Sequence, residues 1–189
     1  MLSRVEASMK KIYLTKNPAQ TKKAGETLAT ELLKKAKGEK RTKFSLSKEI
    51  LTPHHVFGGG QKGALIIGLE GDLGGGKTTF LQGFAKGLEI KEKILSPTFV
   101  IMRRFKIRVN SRSNLCKFAN FYHIDCYRIK KPEEILDLGF REIISNPRNI
   151  VAIEWAEKIK KILPKDAIWV NFEFINKKNR RIFVTGPFA

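Results

Sequence analysis

Apolar residues fall into segments whose spacing separates strands from helices. Ala64-Leu65-Ile66-Ile67-Gly68-Leu69 runs unbroken up to Glu70. A half-exposed strand would alternate, so this run predicts a central parallel strand covered on both faces. Ile150-Val151-Ala152-Ile153 reads the same way. Residues 11–15 and 118–124 give two further strands, and 99–105 a strand or loop. Ile168–Phe174 and 181–184 alternate instead, predicting two strands joined by a hairpin-like turn over 175–180. Helical spacing begins at Thr21 and continues through Ala24, Leu28, Ala29, Leu32 and Leu33, with Gly38 as a stop signal. It recurs at Phe80, Leu81, Phe84 and Leu88. Pro132 opens a short helix over 133–138, since proline is tolerated in a first turn, and another helix is expected near Ala156–Ile162. Residues 1–10 read as a frayed start. Residues 38–63, with Pro53, Gly58-Gly59-Gly60 and many charges, read as a basic insertion or loop. No internal repeat is visible.

With 189 residues and 42% hydrophobic content, the chain is long enough to bury a core as one domain spanning 1–189. The 37 Lys and Arg against 18 Asp and Glu leave a net charge of +19. Attraction to a polyanion such as RNA explains this, and so does a lysine-rich background painted over every surface. The charge is spread along the chain, with short clusters at residues 35–43 and 103–112, which leaves both explanations open. Two cysteines, Cys116 and Cys126, make no C-x-x-C pair and argue against a disulfide scaffold. His123 and Cys126 lie three apart, but no second ligand pair is near enough in sequence to suggest zinc. No apolar segment is long enough to span a bilayer, and the start lacks a signal-peptide core. A cytoplasmic protein without membrane contact is therefore expected.

The strand at 64–70 runs directly into Gly71-Asp72-Leu73-Gly74-Gly75-Gly76-Lys77-Thr78, a full match to G-x-x-x-x-G-K-[ST]. Strand, glycine turn and helix follow in the order a P-loop requires. Glycines let backbone N–H groups converge on phosphate, and the helix beginning near Lys77 adds its dipole. Asp72, Leu73, Gly74, Gly75, Gly76, Lys77, Thr78 and Thr79 are thus the expected nucleotide-phosphate site. The Lys77 ammonium reaches the β- and γ-phosphates, and the Thr78 hydroxyl is placed to ligate Mg²⁺.

A P-loop needs a carboxylate near its metal, at the end of an adjacent strand. Glu154 follows the apolar run at 150–153, and Asp125 ends the run Phe121-Tyr122-His123-Ile124. Strand C-termini of an open α/β sheet share one crevice, so both can approach the phosphates. A surface carboxylate or helix cap is the plainer reading of each. Ser96-Pro97-Thr98 suits a loop sensing the γ-phosphate, or simply a turn that starts a strand. His123 can orient water or sit hydrogen-bonded in the core. Arg128 can touch phosphate or form a surface ion pair.

GDLGGGKTT at 71–79, SPTF at 96–99, HIDCYR at 123–128, an acidic-apolar stretch at 134–139 and EW at 154–155 occur in one order. In that order and approximate spacing they resemble the bacterial TsaE (YjeE) ATPase family, over most of residues 12–185. Thr21-x-x-Ala24-Gly25 is similar to the family's first helix. The resemblance implies an α/β, P-loop NTPase-like three-layer sandwich with a mostly parallel central sheet and antiparallel C-terminal strands. It implies ATP and Mg²⁺ as ligands and slow intrinsic hydrolysis of ATP. It also implies a role in threonylcarbamoyl modification of tRNA adenosine, through association with the TsaD–TsaB pair, whose repeated turnover needs that hydrolysis. By the same resemblance Lys77, Asp125 and Glu154 are catalytic, Thr78 and Glu154 hold Mg²⁺, and Ser96 and Thr98 line the nucleotide-responsive loop. Two departures stand out. Gly75 occupies a position where the family usually has alanine, and residues 38–63 and 106–119 are longer than usual and basic. The basic extras are expected to contact tRNA or a partner. Alternative readings are a P-loop small-molecule kinase, which would need an acceptor pocket and an Arg-bearing lid, and a nucleotide-gated RNA-binding module, which salt-sensitive tRNA binding would mark.

Overall fold

The computed structural model describes residues 9–36, 63–97, 100–107, 118–176 and 179–186. The expected insertion at 38–63, apart from Gly63, lies outside these residues, as do Gly38, Thr98 and most of the basic stretch at 106–119. The elements in order are β1 (Met9–Thr15), α1 (Pro18–Ala36), β2 (Leu65–Gly71), α2 (Lys77–Gly87), β3 (Met102–Lys106), β4 (Asn120–Asp125), a 3₁₀ segment at Pro132–Leu138, α3 (Phe140–Ser145), β5 (Asn149–Glu154), a second 3₁₀ segment at Ala156–Ile162, β6 (Ile168–Phe174) and β7 (Arg180–Gly186).

All seven strands join one sheet in the order β1-β7-β6-β2-β5-β4-β3. The two continuous apolar runs sit side by side at its centre as β2 and β5, paired in parallel with Leu65 opposite Ile150 and Leu69 opposite Glu154. β6 and β4 flank them, also in parallel. The margins are antiparallel, with β7 and β1 beyond β6 and with β3 beyond β4. The architecture is therefore the expected α/β one, with a parallel centre and antiparallel C-terminal strands.

Alternation within each strand divides the core in two. On one face α1 and α2 lie over Ile67, Leu69, Phe121, Ala152, Val170 and Val184, burying Leu28, Phe80 and Phe84 completely. The two helices meet backbone to backbone: a Cβ on Gly25 would stand 2.1 Å from the Phe80 carbonyl oxygen, and one on Gly83 1.8 Å from that of Lys22. On the other face Ile135, Phe140, Ile144 and Ile159 cover Ile66, Ile124, Val151 and Ile153.

Some local outcomes differ from the sequence reading. Helix α1 begins at Pro18 rather than Thr21, because Asn17 caps it: its Oδ1 accepts from the Gln20 N–H at 2.9 Å, and Pro18 supplies a pre-set first turn. The segment at Ala156–Ile162 is 3₁₀ with non-helical dihedrals at Ile159, tighter and more irregular than an α-helix. Helix α3, absent from the sequence reading, starts where Gly139 turns the chain at φ 72°. Among the described residues no helix is long and apolar enough to cross a membrane.

Candidate nucleotide site

Two glycines shape the loop between β2 and α2. Gly71 is at φ 133° opposite Phe172 of β6, and a Cβ there would meet the Phe172 carbonyl oxygen at 2.5 Å. Gly76 is at φ 102°, a conformation costly for any other residue, and forms the N-cap of α2 with no side-chain capping bond. The first amides of α2 are thus not consumed by a cap, and with the helix dipole they make an anion cradle. Asp72, Leu73 and Gly74 are exposed at its tip, Thr79 is half-buried, and Gly75 is buried with its N–H donating to the Asp72 carbonyl at 3.0 Å. A Cβ on Gly75 would lie 2.9 Å from that same oxygen, so glycine here permits a tighter turn than alanine does.

Lys77 is 5% exposed. Its Nζ donates to the carbonyls of Gly71 at 2.6 Å and Asp72 at 3.0 Å, and stands 3.8 Å from the centre of the Trp155 ring. Burial pushes its ammonium below the usual lysine range, against the opposing pull of Glu154 and then Glu157. A phosphate arriving in the cradle would supply the counter-charge that this buried cation favours. Trp155 holds a left-handed backbone at φ 57°, and its ring packs at a tilt against Tyr127 with centroids 5.2 Å apart.

The two candidate carboxylates are brought together by strand register. Asp125 of β4 lies directly opposite Glu154 of β5 at the C-terminal edge of the sheet, and each is 3% exposed. The Thr78 hydroxyl donates to Glu154, with Oε1 at 2.8 Å and Oε2 at 2.9 Å. The His123 Nε2 lies 2.8 Å from the same Oε1. Asp125 accepts from the Ser96 hydroxyl on Oδ2 at 2.5 Å and from the Tyr127 N–H on Oδ1 at 2.9 Å. The structure therefore assembles Lys77, Thr78, Ser96, Asp125 and Glu154 around the loop. Arg128, three residues beyond Asp125 in the chain, is exposed.

This donor set suits one kind of metal. Among the described residues no group of three or more His, Cys, Asp and Glu side chains is placed to hold an ion. Burial, and then Asp125, pushes the Cys126 thiol up to about 12, so it offers no thiolate to pair with His123. Thr78 and Glu154, already joined by a hydrogen bond, offer a hydroxyl and a carboxylate, both hard oxygen donors. Mg²⁺ uses few protein ligands and completes its shell with water and phosphate, so Thr78 and Glu154 fit it.

Two neighbours carried no local signal in the sequence. Arg180, 106 residues away in the chain, directs Nη2 to the Gly74 carbonyl at 3.4 Å and walls the outer side of the loop. Beyond Gly71 an open groove of about 490 Å³ is lined by Glu70, Glu157 and Glu173. Burial, and to a smaller degree the Glu70 charge, raise the pKa of Glu157.

Comparison with known proteins agrees with this geometry. The family model "Threonylcarbamoyl adenosine biosynthesis protein TsaE" matches residues 15–182. A tRNA threonylcarbamoyladenosine biosynthesis protein TsaE from Rickettsia prowazekii is 41% identical over 116 residues, 61% of this chain and 73% of that protein. The protein of the same name from Bacillus subtilis is 35% identical over 121 residues, 64% of this chain and 69% of that protein. The crystal structure of Bacillus subtilis YdiB superposes with a TM-score of 0.60 at 26% identity, covering 95% of this chain and 86% of that one. With the loop, its two strand-end carboxylates and a family match running almost the length of the described sheet, the chain belongs to the TsaE family, whose members are named for tRNA threonylcarbamoyladenosine biosynthesis.

Proposed function

We propose that the chain is a Mg²⁺-dependent ATPase of tRNA threonylcarbamoyladenosine biosynthesis, which binds the TsaD–TsaB pair and sustains its turnover by hydrolysing ATP. The observation that carries this reading is the hydrogen bond from Thr78, the first hydroxyl of the P-loop helix, to Glu154 at the end of the neighbouring strand. It joins the phosphate cradle to a buried carboxylate, the pairing that Mg²⁺-nucleotide chemistry requires.

In this reading Lys77 and the amides from Asp72 to Thr79 hold the polyphosphate, and Thr78 with Glu154 holds the metal. When bound, Mg²⁺ would neutralise charge developing on the phosphate oxygens. Asp125, 3% exposed and fixed by Ser96 and the Tyr127 N–H, is the second carboxylate at the reacting end. Ser96 in turn links the loop after α2 to that carboxylate, a connection suited to sensing the γ-phosphate, and Thr98, outside the described residues, is assigned the same role from its place in the SPTF motif. The net charge of +19 supports contact with tRNA across the basic surface.

The test is Mg²⁺-dependent ATP hydrolysis by the full chain, alone and with the TsaD–TsaB pair and tRNA, with Lys77→Ala as the blank. Slow turnover alone and faster turnover with the partners is the expected result. Turnover indifferent to the partners would remove the assembly from the proposal, and a phosphorylated small-molecule product would replace it with a kinase.

A further inference from the structure

His123 is more than core filling. Its side chain is 0% exposed, on the face of β4 that looks toward α2, and its Nε2 touches the Oε1 of Glu154 at 2.8 Å. The other ring nitrogen, Nδ1, is buried with no hydrogen-bond partner. A protonated Nδ1 would be a buried donor aimed at nothing, whereas a bare Nδ1 leaves only a weaker unmet acceptor. With Nδ1 unpartnered, the arrangement that fits puts a proton on Nε2, between the ring and the carboxylate. A purely space-filling position would be better served by an apolar side chain, which leaves no polar atom unmet.

We infer that His123 is a positioning residue for Glu154. By donating from Nε2 to Oε1 it fixes the rotation of the carboxylate and leaves Oε2 presented to the cation that Thr78 and Glu154 are placed to share. The Thr78 hydroxyl belongs to α2, whereas the His123 bond is anchored in the sheet, where His123 and Ala152 are register partners on adjacent strands. His123 therefore restrains the carboxylate from the sheet, independently of the helix that carries Thr78. Partners of metal-ligating carboxylates act this way generally, and their loss costs about tenfold to a hundredfold in metal affinity. The inference rests on Glu154 being the metal carboxylate, as proposed above.

Two measurements on the full chain separate the two ideas. The first needs neither metal nor nucleotide: the ¹⁵N shifts of the His123 ring in the wild-type protein. A protonated Nε2 and a bare Nδ1 are expected, and the reverse tautomer overturns the inference while leaving the proposed function intact. The second is ATP binding as a function of Mg²⁺ for wild type, His123→Leu and His123→Gln, alongside ATP binding in a chelator. His123→Leu should raise the half-saturating Mg²⁺ concentration about tenfold or more with chelator-phase affinity unchanged. His123→Gln, which keeps a nitrogen donor near the Nε2 position, should restore most of it. A folded His123→Leu with the wild-type Mg²⁺ requirement overturns the inference. If the leucine variant does not fold, a His123→Gln protein as impaired as Glu154→Ala does so equally. A wild-type protein indifferent to Mg²⁺ overturns both ideas together.

Discussion

The two halves of the sheet meet different surroundings, and the site belongs to one of them. In the parallel half every residue of β5 is buried, because helical layers cover both faces. Toward the antiparallel half β6, parallel to β2 but antiparallel to β7, alternates between buried and half-exposed positions from Ile168 to Phe172 and ends exposed, and on β1 Ile12 and Leu14 are 55% and 64% exposed. A strand buried on both sides has no wet face along its length on which to carry a working carboxylate. Its functional residues must sit at its end, and Gly71, Asp125 and Glu154 all do. The antiparallel half contributes walls instead: the Phe172 backbone behind Gly71 and the Arg180 side chain outside Gly74.

The comparison breaks most easily on stability. Ile153→Ala, deep in β5, should cost about 4 kcal/mol, within the range for emptying a fully buried isoleucine site. Ile12→Ala in the antiparallel half should cost less than about 0.5 kcal/mol. Denaturant titration of both variants checks this, and similar midpoints would mean that the two halves are not covered as differently as their exposure shows. Next comes Gly83→Ala. Its methyl would press into the Lys22 backbone, so α1 and α2 must separate, at about 3 kcal/mol, the upper end for overpacking. A thermal midpoint unchanged from wild type would show that the helices do not depend on that contact.

The same contrast explains what could be read from the chain beforehand. β2 and β5 were legible because two-sided burial writes an unbroken apolar run, and the carboxylates because they end such runs. The cradle was legible because its glycines are dictated by local backbone geometry. Helix α3 was not, since six residues carry barely more than one apolar period between Phe140 and Ile144. The start of α1 was placed three residues late because Pro18, Ala19 and Gln20 show no apolar periodicity, although Asn17-Pro18 is a capping signal. Arg180 at Gly74 and His123 at Glu154 are tertiary pairings, which no local pattern encodes. Trp155 stands in the sequence only as half of the EW pair, while the structure places its ring under the Lys77 ammonium.

At the site, Glu154→Ala should lower ATP turnover by about a hundredfold or more, the scale on which single groups act on developing charge. Nucleotide binding without Mg²⁺ should persist, because Lys77 and the cradle remain. Glu173→Ala, an exposed carboxylate of the antiparallel half, should leave turnover unchanged. Steady-state hydrolysis measures both, and equal loss in the two variants would mean that bulk charge rather than the strand-end position matters.

The smallest effect expected is the most local. Ser96 reaches from the loop after α2 into the parallel half, donating at 2.5 Å to Asp125. Ser96→Ala removes that bond but leaves the Tyr127 N–H on the other carboxylate oxygen, so Asp125 keeps that restraint. A hydrogen bond of this kind contributes on the order of 1 kcal/mol, about fivefold in an equilibrium or a rate. Turnover should therefore fall about fivefold, with little change in thermal stability because Ser96 itself is exposed. Ser96→Thr, which keeps the hydroxyl, should recover it. If Ser96→Ala instead lost stability and kept full turnover, the bond would be a clasp holding the loop to the sheet, and Asp125 would need no orienting partner from the loop.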